Sequence, residues 1–414
     1  MQSNITQKPK RTFWLYLLIY YLIIGSDCII FCFNKNESMV KYSQYFMVFL
    51  SLCFSFFYLI KKKFVFEIKD LILIFVLFFL LFSAFYHREF SGGYISVMAL
   101  FVLGNSFFDI IDVKEFKKIF LNLMTVICIV SLLTFVFSSF FLKLSIFPSF
   151  TNTLGREYRF FFFSNISLID PDRNYGLFTE PSRFQAYINL SLIFIMFDND
   201  EKINIKRMIL FIVTLITTFS TTGFMAFAVI LIAFLFSNRI KINKVTKMFI
   251  IVVLLLGIVF LFMNNEDFFY SIHKITLGES SRSASTRFNS FFANLKIIFE
   301  NHLFGTGITN ADRAFSVALS ELGGLFASSN TITILIYFAK FGLIPGLYYA
   351  FNMINAIRNI GNRNNTLFLV LGFIMMTCGI SFIESIIFSI IIFYPNRNKG
   401  MPAEDKNKLR IQKS

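Results

Sequence analysis

Charged side chains are scarce in this sequence. Only 15% of its 414 residues are Asp, Glu, Lys or Arg, whereas 56% are hydrophobic and 61 are phenylalanine. A soluble domain needs far more polar side chains to cover its water-facing surface. The composition therefore excludes an ordinary soluble protein and indicates that a lipid bilayer is its solvent.

Cysteine and histidine are also rare, and their spacing excludes two classes of site. The five cysteines fall inside apolar runs and form no CxxC pair, so the sequence supports neither a disulfide framework nor a cysteine metal site. We expect these cysteines to be buried thiols. The three histidines, His87, His273 and His302, are scattered along the chain and do not form a metal-ligand pattern.

The balance of charge is strongly positive, at a formal +15. Basic proteins often bind nucleic acid, but here much of the excess lies in short Lys/Arg clusters between apolar runs, such as Lys61-Lys62-Lys63. Membrane proteins carry such clusters in their cytoplasmic loops. We therefore expect no nucleic acid among the partners, and the clusters orient the helices in the membrane.

Apolar runs of about 18 or more residues recur from Trp14 to Tyr394. Such runs are close to the roughly 20 residues that cross ~30 Å of hydrocarbon as a helix, and a helix satisfies its own backbone polar groups in lipid. We predict an all-α, polytopic integral membrane protein with about 12 transmembrane helices in a single membrane domain, residues 1–414. The first apolar run lacks a signal-peptide cleavage pattern, so we expect it to stay in the protein as a membrane helix.

The basic clusters place both termini in the cytoplasm. Two long loops, residues 143–183 and 264–327, are then external. Within the second loop, apolar residues at helical spacing predict an amphipathic helix over 288–299 that lies on the membrane interface. The predicted membrane helices lie near 13–33, 43–60, 70–86, 93–108, 119–142, 184–197, 248–263, 328–357, 366–379 and 381–394, with two short helices over 208–236.

Two of these apolar runs should be interrupted. Residues 208–236 have basic residues at both ends, so the run should enter and leave on the same side as a hairpin. The segment Thr217-Thr-Phe-Ser-Thr-Thr-Gly223 provides the break, because hydroxyls and a glycine can satisfy a bent backbone at membrane depth. The tenth helix should be interrupted at Gly342 and at Pro345-Gly346.

One short stretch concentrates charge beside an apolar helix. Residues 170–183 read Asp-Pro-Asp-Arg-Asn-Tyr-Gly-Leu-Phe-Thr-Glu-Pro-Ser-Arg and end where the next apolar run begins. Glu180 precedes Pro181, which suits the first turn of a helix. Its carboxylate is suited either to a cap at the positive end of that helix or to general-base catalysis on an attacking hydroxyl. Asp170 and Asp172 compete for the role of base, so position alone leaves these alternatives open.

Arginine outnumbers lysine in the two external loops. A guanidinium binds phosphate through two parallel hydrogen bonds, which an ammonium cannot do, so arginines beside a membrane surface suit a lipid diphosphate. A single arginine can equally reach lipid headgroups or pair with a nearby carboxylate, but the set as a whole favours an anionic ligand. The candidates are Arg156, Arg159, Arg173 and Arg183 in the first loop and Arg282, Arg287 and Arg313 in the second.

Taken together, these features resemble the O-antigen polymerase and ligase superfamily of bacterial envelope glycan assembly. The shared elements are the helices with two dominant external loops, the Ser/Thr-rich break, the helix start Phe178-Thr-Glu180-Pro-Ser-Arg183, and Arg287 followed by Asn301-His-Leu-Phe-Gly305-Thr-Gly307. That family commonly has proline where His302 stands here. The resemblance runs over most of residues 120–360 and depends on the order of short motifs along the topology.

The resemblance implies a membrane glycosyltransferase that acts outside the bacterial cytoplasmic membrane with no nucleotide sugar, metal or other cofactor. A growing glycan on undecaprenyl diphosphate passes to a hydroxyl of another lipid-linked repeat unit, and undecaprenyl diphosphate leaves. The expected partners are the undecaprenyl-diphosphate-linked oligosaccharide, membrane lipid and a chain-length regulator. By analogy Glu180 activates the acceptor, with Asp172 as the second candidate. Arg183, Arg282 and Arg287 hold the diphosphate.

Three alternatives to a polymerase stay open. Ligases typically carry a histidine just before the tenth helix, where this sequence has Ser328-Ser329-Asn330, and this difference favours a polymerase over a ligase. A lipid-linked oligosaccharide flippase also has about twelve helices and a basic balance, but usually has short loops. A non-catalytic partner of an envelope assembly is a further alternative.

Overall fold

The computed structural model describes residues 7–25, 37–143, 147–151, 156–161, 163–198, 202–237, 239, 243, 282–321, 330–361, 365–379 and 381–395. Most of this chain is helical, as the long apolar runs predict. The predicted helix near 248–263 lies outside the described residues.

The secondary structure alternates long helices with one small sheet. The first helices are α1 (Gln7–Ile24), α2 (Glu37–Lys61), α3 (Ile68–Tyr86), α4 (Gly92–Ile110), α5 (Val113–Val136) and α6 (Ser138–Lys143). The strands β1 (Ser149–Thr151), β2 (Glu157–Phe161) and β3 (Ser164–Ser167) follow. The later helices are α7 (Pro181–Phe197), α8 (Ile205–Thr217), α9 (Thr221–Leu235), α10 (Arg282–Glu300), α11 (Ala311–Glu321), α12 (Thr333–Phe341), α13 (Leu343–Ile360), α14 (Thr366–Met376) and α15 (Ile386–Ile391).

Several helices have the length and composition of membrane spans. In the described part of the chain, four are long and apolar enough to cross a bilayer: Lys41–Lys61 within α2, and α3, α4 and α5. Shorter apolar helices are Thr12–Ile24 within α1, and α9 and α14. The chain is therefore a mostly helical, multi-pass membrane protein, and the total of about 12 spans stays a prediction.

The first predicted external loop contains a three-stranded antiparallel sheet, in the order β1-β2-β3, that the sequence analysis does not predict. In β2 and β3, Tyr158 pairs with Ser167 and Phe161 pairs with Ser164. Each strand has only three to five residues, which is too short for an alternating apolar pattern to stand out. The all-α prediction describes the helical bundle, and this sheet is an addition to it.

Helix α7 lies at the centre of the bundle. Every residue of it except Ser182 and Arg183 is buried, and it packs against α5, α8, α9 and α14. A helix that is buried on all sides is enclosed by protein instead of presenting one face to its surroundings. Because α7 begins at Pro181, Glu180 lies where the loop enters the buried core.

The predicted break in the run 208–236 is confirmed, since α8 ends at Thr217 and α9 begins at Thr221. Side-chain hydroxyls satisfy backbone groups on both sides of the break. Thr218 Oγ1 donates to the carbonyl of Leu215 at 2.7 Å, and Ser220 Oγ accepts from the amide of Gly223 at 3.3 Å. Polar side chains thus replace the helical hydrogen bonds that the bend removes.

The tenth predicted helix is interrupted at Gly342, between α12 and α13, as expected. Gly342 has a φ of 85°, and a Cβ at this position would lie 2.0 Å from the carbonyl oxygen of Leu303. The predicted second interruption at Pro345-Gly346 is wrong. Pro345 lies in the first turn of α13, where an amide hydrogen has no helical acceptor and proline is tolerated.

Other helix boundaries differ from the prediction by a few residues. The predicted fifth helix is α5 followed by the short α6. It begins at Val113 and not near 119, because Asp112 caps it by accepting from the amides of Lys114 and Glu115. The surface helix of the second loop is α10, which begins six residues earlier than the predicted 288 and is followed by the unpredicted α11. The last two predicted helices appear as the shorter α14 and α15.

The close approach at Gly342 yields a testable prediction. Gly342→Ala adds a Cβ against the backbone of Leu303 and keeps a left-handed conformation, so we expect a loss of about 2 kcal/mol or more in the free energy of unfolding. Gly92→Ala is the matched control, because no atom lies within 4 Å of a Cβ placed there. Thermal unfolding of the detergent-solubilised variants measures both. Equal midpoints for the two variants would contradict the prediction.

Candidate functional site

Ends of several helices meet around the start of α7. Gln185 Nε2 donates to the carbonyl of Met376 at the end of α14, at 2.9 Å. Asn189 Nδ2 donates to the carbonyl of Gly223 in α9, at 3.2 Å. These side chains join the starts of α7 and α9 to the end of α14. We call the region around them the polar end of the bundle, and its charged members are Arg156, Arg173, Glu180, Arg183 and Arg287.

The charged stretch 170–180 is fixed by two asparagines. The amide of Asn174 donates to the carbonyl of Thr217 at 2.9 Å, and its Nδ2 donates to Thr217 Oγ1 at 3.0 Å. Asn165 Nδ2, from β3, donates to the carbonyls of Gly176 and Phe178 at 2.9 and 3.0 Å. The stretch is therefore held to the α8–α9 break on one side and to the sheet on the other.

Glu180 precedes the first turn of α7 but does not cap it. Its side chain accepts no hydrogen bond from the helix amides. Instead, Oε2 accepts from Ser182 Oγ at 3.1 Å, and Oε1 lies 3.8 Å from Nη1 of Arg156. The Glu180 side chain is 29% exposed to solvent, so it is partly buried yet accessible. The capping alternative therefore loses support, and the role of general base stays a prediction.

The residue before Glu180 is anchored by a buried tyrosine of the sheet. Tyr158 Oη donates to the carbonyl of Thr179 at 2.9 Å. Burial, with a smaller contribution from Tyr175, raises the pKa of Tyr158 to about 12 despite the nearby positive charge of Arg156. Tyr158 thus stays a neutral donor at physiological pH, and β2 sets the direction in which the backbone reaches Glu180.

The two competing carboxylates are placed differently from Glu180. Asp170 and Asp172 are both exposed. Asp170 Oδ2 lies 3.5 Å from Tyr175 Oη, whereas Asp172 forms no hydrogen bond or ion pair with any residue that the structure describes. A general base needs a fixed geometry toward the proton that it removes. Glu180 is thus the better positioned of the predicted bases.

Two arginines converge on the break between α8 and α9. Arg173 donates from Nε to the carbonyl of Thr218 at 3.3 Å and from Nη2 to that of Phe219 at 3.2 Å. Arg287, from α10, donates from Nη1 to Thr221 Oγ1 at 3.1 Å. Burial lowers the pKa of Arg287 below its usual value, and the positive charge of Arg173 lowers it further. Neither arginine forms an ion pair within the described residues.

The Glu180 side and the Arg287 side of the polar end are adjacent. A Cβ built on Gly379 would lie 3.0 Å from both Ser182 Cβ and Thr222 Oγ1. Ser182 bonds Glu180, and Thr222 is the neighbour of Thr221, which bonds Arg287. Gly379, just after α14, therefore lies between the start of α7 and the start of α9 and is close to both.

The remaining predicted arginines have separate placements. Arg159 donates to the carbonyl of Leu142 at the end of α6, so it fastens β2 to that helix. Arg183 lies in the first turn of α7 and its Nε is buried. Arg313 is exposed in the first turn of α11, and the side chain of Arg282 lies outside the described residues. The structure thus brings Arg156, Arg173 and Arg287 from other segments to the polar end, where Arg183 lies on α7 itself. The roles of all four stay predictions.

Sequence reasoning missed the polar residues that organise this region. Ser182, Gln185 and Asn189 are spaced by three and four residues, so they share one face of α7. This face points toward α9 and α14, as their hydrogen bonds show. A polar face inside an otherwise apolar helix is a signal that the sequence contains, since such residues in membrane helices need protein partners.

A second group of amides attaches α10 to the bundle. Asn294 Nδ2 donates to Asn330 Oδ1 at 2.7 Å, and Asn330 Nδ2 donates to Asn294 Oδ1 at 2.9 Å. Ser290 Oγ accepts from the amide of Thr331 at 3.2 Å. Ser290 and Asn294 are fully buried. They lie one and two turns beyond Arg287, so this network helps to fix where Arg287 emerges from α10.

Part of the chain is similar to a known protein family. Residues 208–351 of the 414 match the model of a family described as O-Antigen ligase. The matched region begins in α8 and ends in α13, and it includes the α8–α9 break and Arg287, whereas Glu180 and Arg173 precede it. No curated protein and no solved structure matches the chain.

The absence of a capping bond at Glu180 predicts a small effect on stability. We expect Glu180→Ala to change the free energy of unfolding by less than about 0.5 kcal/mol, because only exposed or weak contacts are lost. Asp112→Ala is the matched control, since that side chain does accept from helix amides and its loss costs roughly 1 kcal/mol. Thermal unfolding of both variants is the measurement. A larger loss for Glu180→Ala than for Asp112→Ala would restore the capping role.

Proposed function

We propose that this protein is a membrane glycosyltransferase that polymerises lipid-linked oligosaccharide repeat units into O-antigen or a similar bacterial surface polysaccharide. Two findings support this class of reaction. Residues 208–351 are similar to a family of envelope glycan enzymes, and four described helices are long and apolar enough to span a membrane. The substrate on this proposal is an oligosaccharide on undecaprenyl diphosphate.

The single observation that carries the proposal is the pair of arginines at the α8–α9 break. Arg173 and Arg287 bond only hydroxyl and carbonyl oxygens there, so their positive charges are not neutralised by a carboxylate of the described chain. Two neighbouring guanidiniums, both partly buried, are costly to hold together. A bound diphosphate would offset this cost through charge-assisted, bidentate hydrogen bonds.

The reaction that fits this arrangement is the displacement of a diphosphate from an anomeric carbon. The acceptor hydroxyl oxygen forms the new bond to that carbon, while the bond from the carbon to the diphosphate oxygen breaks. Arg173 and Arg287 stabilise the negative charge that develops on the leaving undecaprenyl diphosphate. Arg183 and Arg282 complete the proposed basic set.

Glu180 is the proposed general base. Its carboxylate takes the proton of the acceptor hydroxyl as the new glycosidic bond forms. The Arg156 guanidinium at 3.8 Å and the Ser182 hydroxyl at 3.1 Å hold it in place. Because Glu180 accepts no hydrogen bond from the amides of α7, its lone pairs stay available for substrate.

An O-antigen ligase is the second candidate, favoured by the description of the matched family itself. The two reactions use the same donor and differ in the acceptor, which is a lipid-linked repeat unit for the polymerase and a lipid core for the ligase. The polymerase assignment rests on Asn330, which stands where ligases typically carry histidine. Asn330 bonds Asn294 and Ser290 of α10.

The proposed setting follows from the substrate. The polar end faces the outside of the bacterial cytoplasmic membrane, where undecaprenyl-linked units are displayed, and both termini lie in the cytoplasm. Membrane lipid surrounds the apolar helices, and a chain-length regulator is the proposed protein partner. The reaction needs no nucleotide sugar, metal or other cofactor.

The surface glycan of a strain that lacks the gene tests the proposal. Loss of a polymerase leaves single repeat units attached to the lipid core, whereas loss of a ligase leaves the core bare while lipid-linked polymer accumulates. A bare core with unpolymerised lipid-linked units confined to the cytoplasmic side would instead indicate a flippase. Restoration of long chains by the wild-type gene is the control for the deletion.

The placement of the carboxylates predicts which one acts as the base. In the complemented strain, Glu180→Gln should shorten the glycan to single or few units, because loss of a positioned base costs roughly 10²–10⁴ in rate. Asp172→Asn should leave chain length nearly normal, since Asp172 is exposed and forms no polar contact among the described residues. Glycan length and membrane abundance are measured together. Normal chains with Glu180→Gln would exclude Glu180 as the base.

A further inference from the structure

Helices α10 and α11 form a small unit with its own apolar core. That core consists of Ala293 and Ile297 of α10, Phe315, Ala318 and Leu319 of α11, and Ala339 of α12, and it is separate from the main core of the bundle. Since α10 carries Arg287, the position of this unit decides where that guanidinium lies. The contacts that join this unit to the other helices, Ala339 and the Asn294–Asn330 pair among them, therefore set the position of Arg287.

One attachment is the turn between α3 and α4. Arg88 ends α3 in a left-handed conformation, with a φ of 54°. The amide of Glu89 then donates back to the carbonyl of Ala84 at 2.8 Å, which is the hydrogen bond of a Schellman helix end. This local geometry directs the Glu89 side chain away from α3 and toward the segment between α10 and α11.

The Glu89 carboxylate is bound by donors of that segment. Oε2 accepts from the backbone amides of Ile308 and Thr309 at 2.8 and 3.1 Å, and Oε1 accepts from Asn310 Nδ2 at 3.3 Å. These donors immediately precede α11, whose positive end also favours a carboxylate. Glu89 forms no ion pair within the described residues, so the segment supplies its main stabilisation.

The Gly305-Thr-Gly307 sequence is shaped for this contact. Gly307 has a φ of 78°, and a Cβ there would lie 2.7 Å from Glu89 Oε2. On the other side, the amides of Thr306 and Gly307 donate to the carbonyls of Ala339 and Lys340 at 2.9 and 3.1 Å. The loop thus accommodates the protein's own carboxylate, in the way that glycine-rich loops accommodate phosphate.

We propose that Glu89 is a positioning residue that fastens the α10–α11 unit to the α3–α4 turn and thereby holds Arg287 at the polar end. Ser83 Oγ, which donates to the carbonyl of Phe304 at 3.1 Å, supports the same attachment from α3. Glu89 acts through α10 and not on the substrate. The attachment itself is independent of the proposed reaction, and only its effect on activity rests on the proposed function.

Trypsin cleavage after Arg313 measures the attachment without any assay of activity. Arg313 lies in the first turn of α11, directly after the bound segment, so cleavage there requires that this turn opens. We expect Glu89→Gln to raise the rate of this cleavage roughly tenfold or more, because a charge-assisted hydrogen bond is lost. The detergent-solubilised full chain is used, and the fragment that begins at Ala314 is quantified.

Glu67→Gln is the matched control, since it makes the same change at the other end of α3 and should leave the cleavage rate unchanged. Glu89→Asp should give an intermediate rate, because it keeps the charge but shortens its reach. If Glu89→Gln fails to accumulate, Gly307→Ala tests the same contact from the other side and should also accelerate cleavage. Unchanged cleavage in the Glu89 and Gly307 variants overturns the proposal.

A double-mutant cycle connects the attachment to activity. With a lipid-linked repeat unit as substrate, Glu89→Gln should lower kcat/KM at least tenfold in the wild-type chain but less than twofold in an Arg287→Lys background, since coupled residues are not additive. Equal losses in both backgrounds overturn the link to Arg287. If the wild-type protein shows no transfer at all, the proposed function fails while the cleavage experiment still decides the role of Glu89.

Discussion

Inside a membrane bundle, every polar group that the helices do not satisfy needs a partner from the protein itself, because hydrocarbon offers none. The structure depends on this constraint at the α8–α9 break and at Gly342. At the α8–α9 break, Asn174 and Arg173 from the first loop and Arg287 from α10 bond the backbone and hydroxyls of the turn. At Gly342, the amide of Leu343 donates to the carbonyl of His302 at 2.9 Å. At each break, therefore, a segment distant in sequence supplies the hydrogen-bond partners.

The same constraint bears on the charged side chains at the start of α7. Hydroxyl and carbonyl oxygens satisfy the hydrogen-bonding capacity of a guanidinium only in part and do not cancel its charge. Arg173 and Arg287 are thus held near one another, and burial of Arg287 raises the electrostatic cost of that arrangement. Glu180 pairs with Arg156 at 3.8 Å, a distance that leaves the carboxylate able to bond another group. Together these features favour an anionic ligand with a proton-donating hydroxyl beside it.

Much of the helical framework follows from local pattern. The Ser/Thr-rich segment 217–223 and Gly342 predict the two breaks, because hydroxyl groups and a glycine are what a bent membrane helix requires. Apolar spacing also predicts α10. The sheet of the first loop does not follow from local pattern, because strands of three to five residues are too short to show an alternating period. The interruption predicted at Pro345 is wrong because the first turn of α13 tolerates proline, and where α13 begins is not visible in the sequence.

Composition and local pattern are enough to identify a multi-pass membrane protein, to locate the interruptions of its helices, and to show which stretches carry the arginines and carboxylates. These properties depend on composition and on neighbours within a few residues. The packing of distant segments, in contrast, brings Arg156, Arg173 and Arg287 to the start of α7. It also directs Arg159 to Leu142 and Glu89 to the loop after α10. Such choices depend on which distant segments satisfy each other's buried polar groups, and a single sequence does not state those pairings.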